Sequence, residues 1–113
     1  IKEYSLSSTN RRRFLMYIIR ATYENTSLTV SQLVKLLGCS RQAIETMIKE
    51  CNEAKWIKVD RDEKGLRSLV ANKILINSYE NYTDWLWSVY DQLELRNLSI
   101  HISQMQSDLD KSV

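Results

Sequence analysis

A chain of 113 residues, 43% hydrophobic and 27% charged, suits one domain with one modest core. With no proline and two glycines it argues against a loop-rich or all-β fold. Its two cysteines and single histidine speak against a disulfide scaffold and a Cys/His zinc site, and no apolar run nears the roughly 18 residues of a membrane span. The net charge of +2 hides a split: residues 1–70 carry 13 basic and 8 acidic side chains, a net +5, and residues 71–113 carry 3 and 6, a net −3, which points the first part at an anionic partner such as nucleic acid.

Residues 1–8 read as an irregular arm. Ser8, Thr9 or Asn10 can cap the next element. Phe14, Leu15, Ile18, Ile19 and Thr22 recur at helical spacing, which predicts an amphipathic helix over 10–24, ended by Asn25-Thr26-Ser27. Thr29 is a good cap for a second helix, whose stripe is Val30, Leu33, Val34 and Leu37. Gly38 stops it, because a left-handed C-cap costs glycine little. Ser40 caps a third helix with the stripe Ala43, Ile44, Met47, Ile48 and Cys51, ending near Glu53-Ala54.

The period then changes. WIKVDR, residues 56–61, alternates apolar and polar side chains as a strand does. Asp62-Glu63-Lys64-Gly65 is the clearest turn signal in the chain, and LRSLVA offers a second strand. Residues 56–71 therefore read as a β-hairpin with a charged tip. Asn72 can cap a long helix with a heptad seam of Leu75, Tyr79, Tyr82, Leu86, Val89 and Leu93. Trp85, Trp87 and Tyr90 widen its apolar arc. The rhythm breaks near Asn97 and resumes with Leu98, Ile102, Met105 and Leu109, which predicts a separate last helix.

Two helices joined by about three residues, the second opening on a serine cap, match a helix-turn-helix. Their stripes meet near Cys39, so the opposite face of residues 40–54 is left free to enter a major groove. That face offers Ser40, Arg41, Gln42, Glu45, Thr46 and Lys49. Arginine pairs two-pronged with guanine and glutamine with adenine. Serine and threonine suit phosphates, as does a helix N-terminus, and Ser31 and Gln32 are placed for a flanking phosphate. The bland alternative is a solvated polar face. Helix, helix, helix, strand, charged turn, strand is the order of a winged helix. Arg61, Lys64 and Arg67 on the wing would then grip the backbone or minor groove, unless the hairpin too is merely solvated.

The stretch from Leu28 to Ala71 resembles the winged helix-turn-helix of the MarR family of bacterial and archaeal transcription regulators. LTVSQLVKLLGCSRQAIETMIKECNEAKWIKVDRDEKGLRS carries the resemblance, with its SR opening of the recognition helix and its D-x4-R wing, Asp62 to Arg67. Many members place glycine between the third helix and the first wing strand, where this chain has Lys55-Trp56. The resemblance implies a dimer built from the terminal helices. Independently, the seam from Leu75 to Leu93, continued by Leu98, Ile102 and Met105, holds more apolar surface than one small core needs, and such patches mark interfaces. A symmetric dimer sets two recognition helices about 34 Å apart, one turn of DNA.

The expected architecture is a mainly α winged helix-turn-helix with a small β-hairpin wing, one domain over 1–113. Residues 10–71 supply the helix-turn-helix and wing, and 72–113 supply the dimerisation helices. The expected function is sequence-specific binding of double-stranded DNA by a cytoplasmic, homodimeric transcription regulator, with no cofactor, metal or membrane. Two alternatives share these parts: a winged helix that binds protein within a larger assembly, and a plasmid or viral replication or partition protein. Arg11, Arg12 and Arg13 open the first helix against its dipole, as phosphate contacts or as a solvated run. Some MarR-like regulators sense oxidants through cysteine, but Cys39 and Cys51 fall on predicted core positions, where thiols are inert. His101 stands alone. No phosphate loop, nucleophile elbow or paired carboxylates suggest an enzyme.

Overall fold

The computed structural model describes residues 1–111. The elements in order are α1 (Lys2–Ser7), α2 (Thr9–Tyr23), β1 (Leu28–Thr29), α3 (Val30–Leu37), α4 (Arg41–Glu53), β2 (Ile57–Arg61), β3 (Arg67–Ala71) and α5 (Lys73–Lys111). They divide into two units, Ile1–Ser78 and the chain from Tyr79 onward.

Three side-chain caps set the helical part of the first unit. Ser8 Oγ accepts from the Arg11 amide at 3.0 Å and opens α2. Thr29 and Gln32 form a reciprocal capping box at the start of α3. Ser40 Oγ accepts from the Ala43 amide at 3.1 Å and opens α4. Between α3 and α4, Gly38 adopts the left-handed conformation at φ +65, and its amide closes the last turn of α3 on the Val34 carbonyl at 3.0 Å. The stop and restart expected at this glycine is the one observed. The stripes of α2, α3 and α4 then converge: Phe14, Ile18, Leu33, Ile44 and Cys51 are fully buried, joined by Ile57, Leu69 and Leu75. Among the described residues no polar or charged side chain is buried.

The hairpin pairs Ile57 with Ala71 through Arg61 with Arg67. Asp62 builds its tip, since one carboxylate oxygen accepts from the Lys64 and Leu66 amides at 2.9 and 2.8 Å while Gly65 sits at φ +78. The sheet also holds a third strand. Leu28 and Thr29 pair antiparallel with Leu69 and Ser68, giving the order β1-β3-β2. Two residues show no period of 2, so the sequence pattern could not find this strand.

The expected arm over residues 1–8 is instead helical from Lys2 to Ser7. The ring of Tyr4 meets Trp56 edge-on at 5.2 Å and lies under the Arg11 guanidinium at 5.1 Å. This helix contributes no buried residue, so its tertiary contacts hold it in place.

Lys55 lies between α4 and β2 at φ +62, a conformation that costs a side-chain-bearing residue about 1–2 kcal/mol. With Trp56 it fills the stretch between α4 and β2 where many members of the resembled family have a glycine. Glycine returns about 0.5–1 kcal/mol of that gain through its freer unfolded chain. Lys55→Gly should therefore stabilise the protein by about 0.5–1 kcal/mol in urea unfolding, and a lowered midpoint would refute strain at this position.

Asn72 ties the hairpin to the start of α5: its side-chain amide donates to the carbonyls of Lys55 and Ile57 at 3.0 and 3.1 Å. The expected break near Asn97 is absent, and α5 runs unbroken from Lys73 to Lys111. No glycine or proline interrupts it. What changes near Asn97 is the apolar face. Tyr82, Leu86, Val89 and Leu93 form one seam, and Leu95, Leu98, Ile102, Met105 and Leu109 form another. Leu93 and Leu95 are two residues apart, about 200° around the helix, so the second seam lies nearly opposite the first. A rotated seam looks in sequence like a helix end. Leu75 leaves the expected interface, because it is 1% exposed in the core of the first unit. In the second unit Tyr79 and Val89 are half-buried, while Tyr82, Leu86, Leu93, Leu98, Ile102 and Met105 are exposed, as are Trp85, Trp87 and Tyr90.

Candidate nucleic-acid interface

Helix α4 turns Ile44, Met47, Ile48 and Cys51 inward, which leaves Arg41, Gln42, Thr46 and Lys49 exposed on its outer face. Glu45 lies half-buried among them. Ser40 is exposed at the N-terminus of α4, and Ser31 and Gln32 are exposed at the N-terminus of α3. Arg61 and Lys64 project from the hairpin, also exposed, and Arg67 is half-buried.

Hydrogen bonding sorts these residues further. Ser40 Oγ accepts from a backbone amide, which leaves its proton free for a phosphate oxygen. The Thr46 hydroxyl spends its proton on the Gln42 carbonyl at 3.0 Å, so it is a poorer phosphate donor. The side-chain oxygen of Gln32 is committed to the Thr29 amide at 2.9 Å, but its NH2 group can still donate. Asp62, in the D-x4-R pattern, shapes the turn and does not pair with Arg67.

Glu45 and Arg67 hold each other. Arg67 Nη1 donates to Glu45 Oε2 at 2.8 Å, and Nη2 donates to Oε1. Arg41 Nε stands 3.9 Å from Glu45 Oε1. The Arg67 hydrogen bond, against some opposing desolvation, holds the Glu45 carboxyl below its ordinary range, helped by the charges of Arg67, Arg41 and Arg61. The same hydrogen bond raises Arg67.

Two members of the arginine run at the start of α2 have partners within the fold. Arg11 bonds Glu50 at 3.2 Å across α2 and α4, and Arg13 donates to the Leu36 carbonyl at 2.9 Å. Arg12 is exposed. Behind α4, the Cys51 thiol is pushed up to about 11 by burial. The neighbouring Tyr4 hydroxyl is raised by burial first and then by that thiol, although the two do not meet in hydrogen-bond geometry. Cys39 is half-buried rather than a core residue, and both thiols are free. Among the described residues no cluster of His, Cys, Asp and Glu could hold a metal.

Three packed helices, a turn on Gly38, an exposed face on α4 and a hairpin beside it make this a winged helix-turn-helix with a long C-terminal helix. Solved structures sharing the arrangement include transcription regulators. MepR, a transcription regulator of the Staphylococcus aureus multidrug efflux pump MepA, superposes with a TM-score of 0.61 at 18% identity, over 92% of this chain and 76% of its own. A mutant of Staphylococcus aureus MepR bound to oligodeoxyribonucleotide gives 0.61 at 14% identity, over 90% and 79%. The adhesin competence repressor AdcR from Streptococcus pyogenes gives 0.52 at 18% identity, over 76% and 64%. MepR is a MarR-family regulator, so the fold implied by the resemblance of residues 28–71 is the fold found. No protein-family model and no curated protein sequence matches the chain. The likeness is therefore one of backbone arrangement.

Proposed function

We propose that this protein is a MarR-like transcription regulator that binds double-stranded DNA as a homodimer. Helix α4 reads the major groove of each half-site and the β2–β3 hairpin holds the flanking backbone. The observation that carries the reading is the outer face of α4, which presents Arg41, Gln42 and Lys49 to solvent with the exposed cations Arg61 and Lys64 on the adjoining hairpin. A solved structure of the same fold bound to oligodeoxyribonucleotide supports it. In the second unit, Tyr82, Leu86 and Leu93 are 58%, 46% and 52% exposed along one seam, more apolar surface than a lone helix keeps in water. A second copy is its proposed cover. A cytoplasmic site of action follows from this function, and no described helix is long and apolar enough to cross a membrane.

Selection from random DNA should enrich a palindrome with half-sites about one helical turn apart. If Lys49, Arg61 and Lys64 of each copy neutralise one phosphate apiece, log affinity should fall with log salt at a slope of about −5. Arg41→Ala should cost about 1–3 kcal/mol per half-site and relax one base position. Unchanged DNA affinity for Arg41→Ala at every salt concentration would remove the recognition-helix assignment. A selection that enriches nothing would favour a protein partner for this face.

A further inference from the structure

A carboxylate in the middle of a DNA-reading face repels phosphates, so Glu45 needs a reason to be there. Its geometry supplies one. Both of its oxygens are taken by the two arms of the Arg67 guanidinium, and the pair is partly shielded, with side-chain exposures of 35% and 21%. Two-pronged arginine–carboxylate pairs fix orientation as well as distance. This one spans from α4 to the first residue of β3, so it sets the hairpin against the recognition helix. The other neighbour of Glu45 is Arg41, one helical turn earlier, 65% exposed and 3.9 Å away. That spacing is too long for a hydrogen bond but close enough to bias where the Arg41 side chain points. Arg67, with both arms engaged, is withdrawn from phosphate contact.

Resting on the DNA-binding reading above, we infer that Glu45 is a specificity-determining positioning residue: through Arg67 it locks the wing to the recognition helix, and through Arg41 it aims the base-reading guanidinium. It thereby raises sequence discrimination while lowering general affinity for DNA.

The experiment compares binding to the selected site and to an unrelated duplex of equal length, for the full chain carrying Glu45→Gln, Glu45→Ala, or the exchange Glu45→Arg with Arg67→Glu. Thermal melts are recorded for each. Affinity for the unrelated duplex should rise in Glu45→Gln and Glu45→Ala, as a repelling charge is removed, while the ratio of selected to unrelated affinity falls about tenfold or more. The exchange should restore the melting temperature, because the pair is rebuilt, but not the ratio, because Arg41 then faces a like charge. Recovery of both would show that Glu45 acts on the fold alone and overturn the inference, as would an unchanged ratio in Glu45→Gln and Glu45→Ala. Arg41→Ala separates this result from failure of the DNA reading: if it weakens binding while the Glu45 variants keep their discrimination, the reading stands and the inference falls.

Discussion

Leu86→Glu combined with Leu93→Glu should turn the proposed dimer into a monomer in light scattering. Leu86 and Leu93 are 46% and 52% exposed on one seam of α5, two helical turns apart. Placing four carboxylates along the contact between two copies would require burying charge without a partner. DNA affinity should fall with the dimer. Two linked recognition helices gain an effective concentration worth about 10²–10⁴-fold over one, and that factor is lost when the copies separate. The opposite seam is the internal comparison. Leu98→Glu with Ile102→Glu places the same charges about 150° away around a continuous helix, so the dimer should survive it. A monomer from the second pair and not the first would assign the contact to the other face. A monomer from both would mean that α5 does not stay straight when two copies meet.

Phe14→Ala should destabilise the chain by about 3–5 kcal/mol, the usual cost of emptying a phenylalanine site in a packed core. Phe14 is 0% exposed, among the inward stripes of α2, α3 and α4. The total stability of a domain this size is about 5–15 kcal/mol. The loss should therefore appear as a melting temperature lower by about 10–25 °C. Met16, two positions along the same helix and 44% exposed, serves as the reference. Met16→Ala should change stability by less than about 1 kcal/mol. Equal losses at the two positions would contradict the inward stripe on which the placement of α4 depends.

The parts legible along the chain are those governed by neighbours within four residues. The caps at Ser8, Thr29 and Ser40 are hydrogen bonds over three residues, and the stop at Gly38 is a local backbone preference. The hairpin followed from a change of period and the turn at Asp62–Gly65. Hence the exposed face of α4 and its list of polar residues were legible from spacing alone. The continuity of α5 was locally encoded too, by the absence of glycine and proline, but a rotating seam imitated a helix end.

Which side chains meet across the fold depends on how the elements pack. Tyr4 finds Trp56, Arg11 finds Glu50 and Arg67 finds Glu45, over separations that no period reports. These pairings set α1 beside Trp56, give Arg11 a partner on α4 and join Glu45 to Arg67. Helical and strand periods arise from bonds a few residues apart, so they are written along the chain. A salt bridge 22 residues long exists only because α4 and β3 pack on a shared core, and no rule of spacing contains that core.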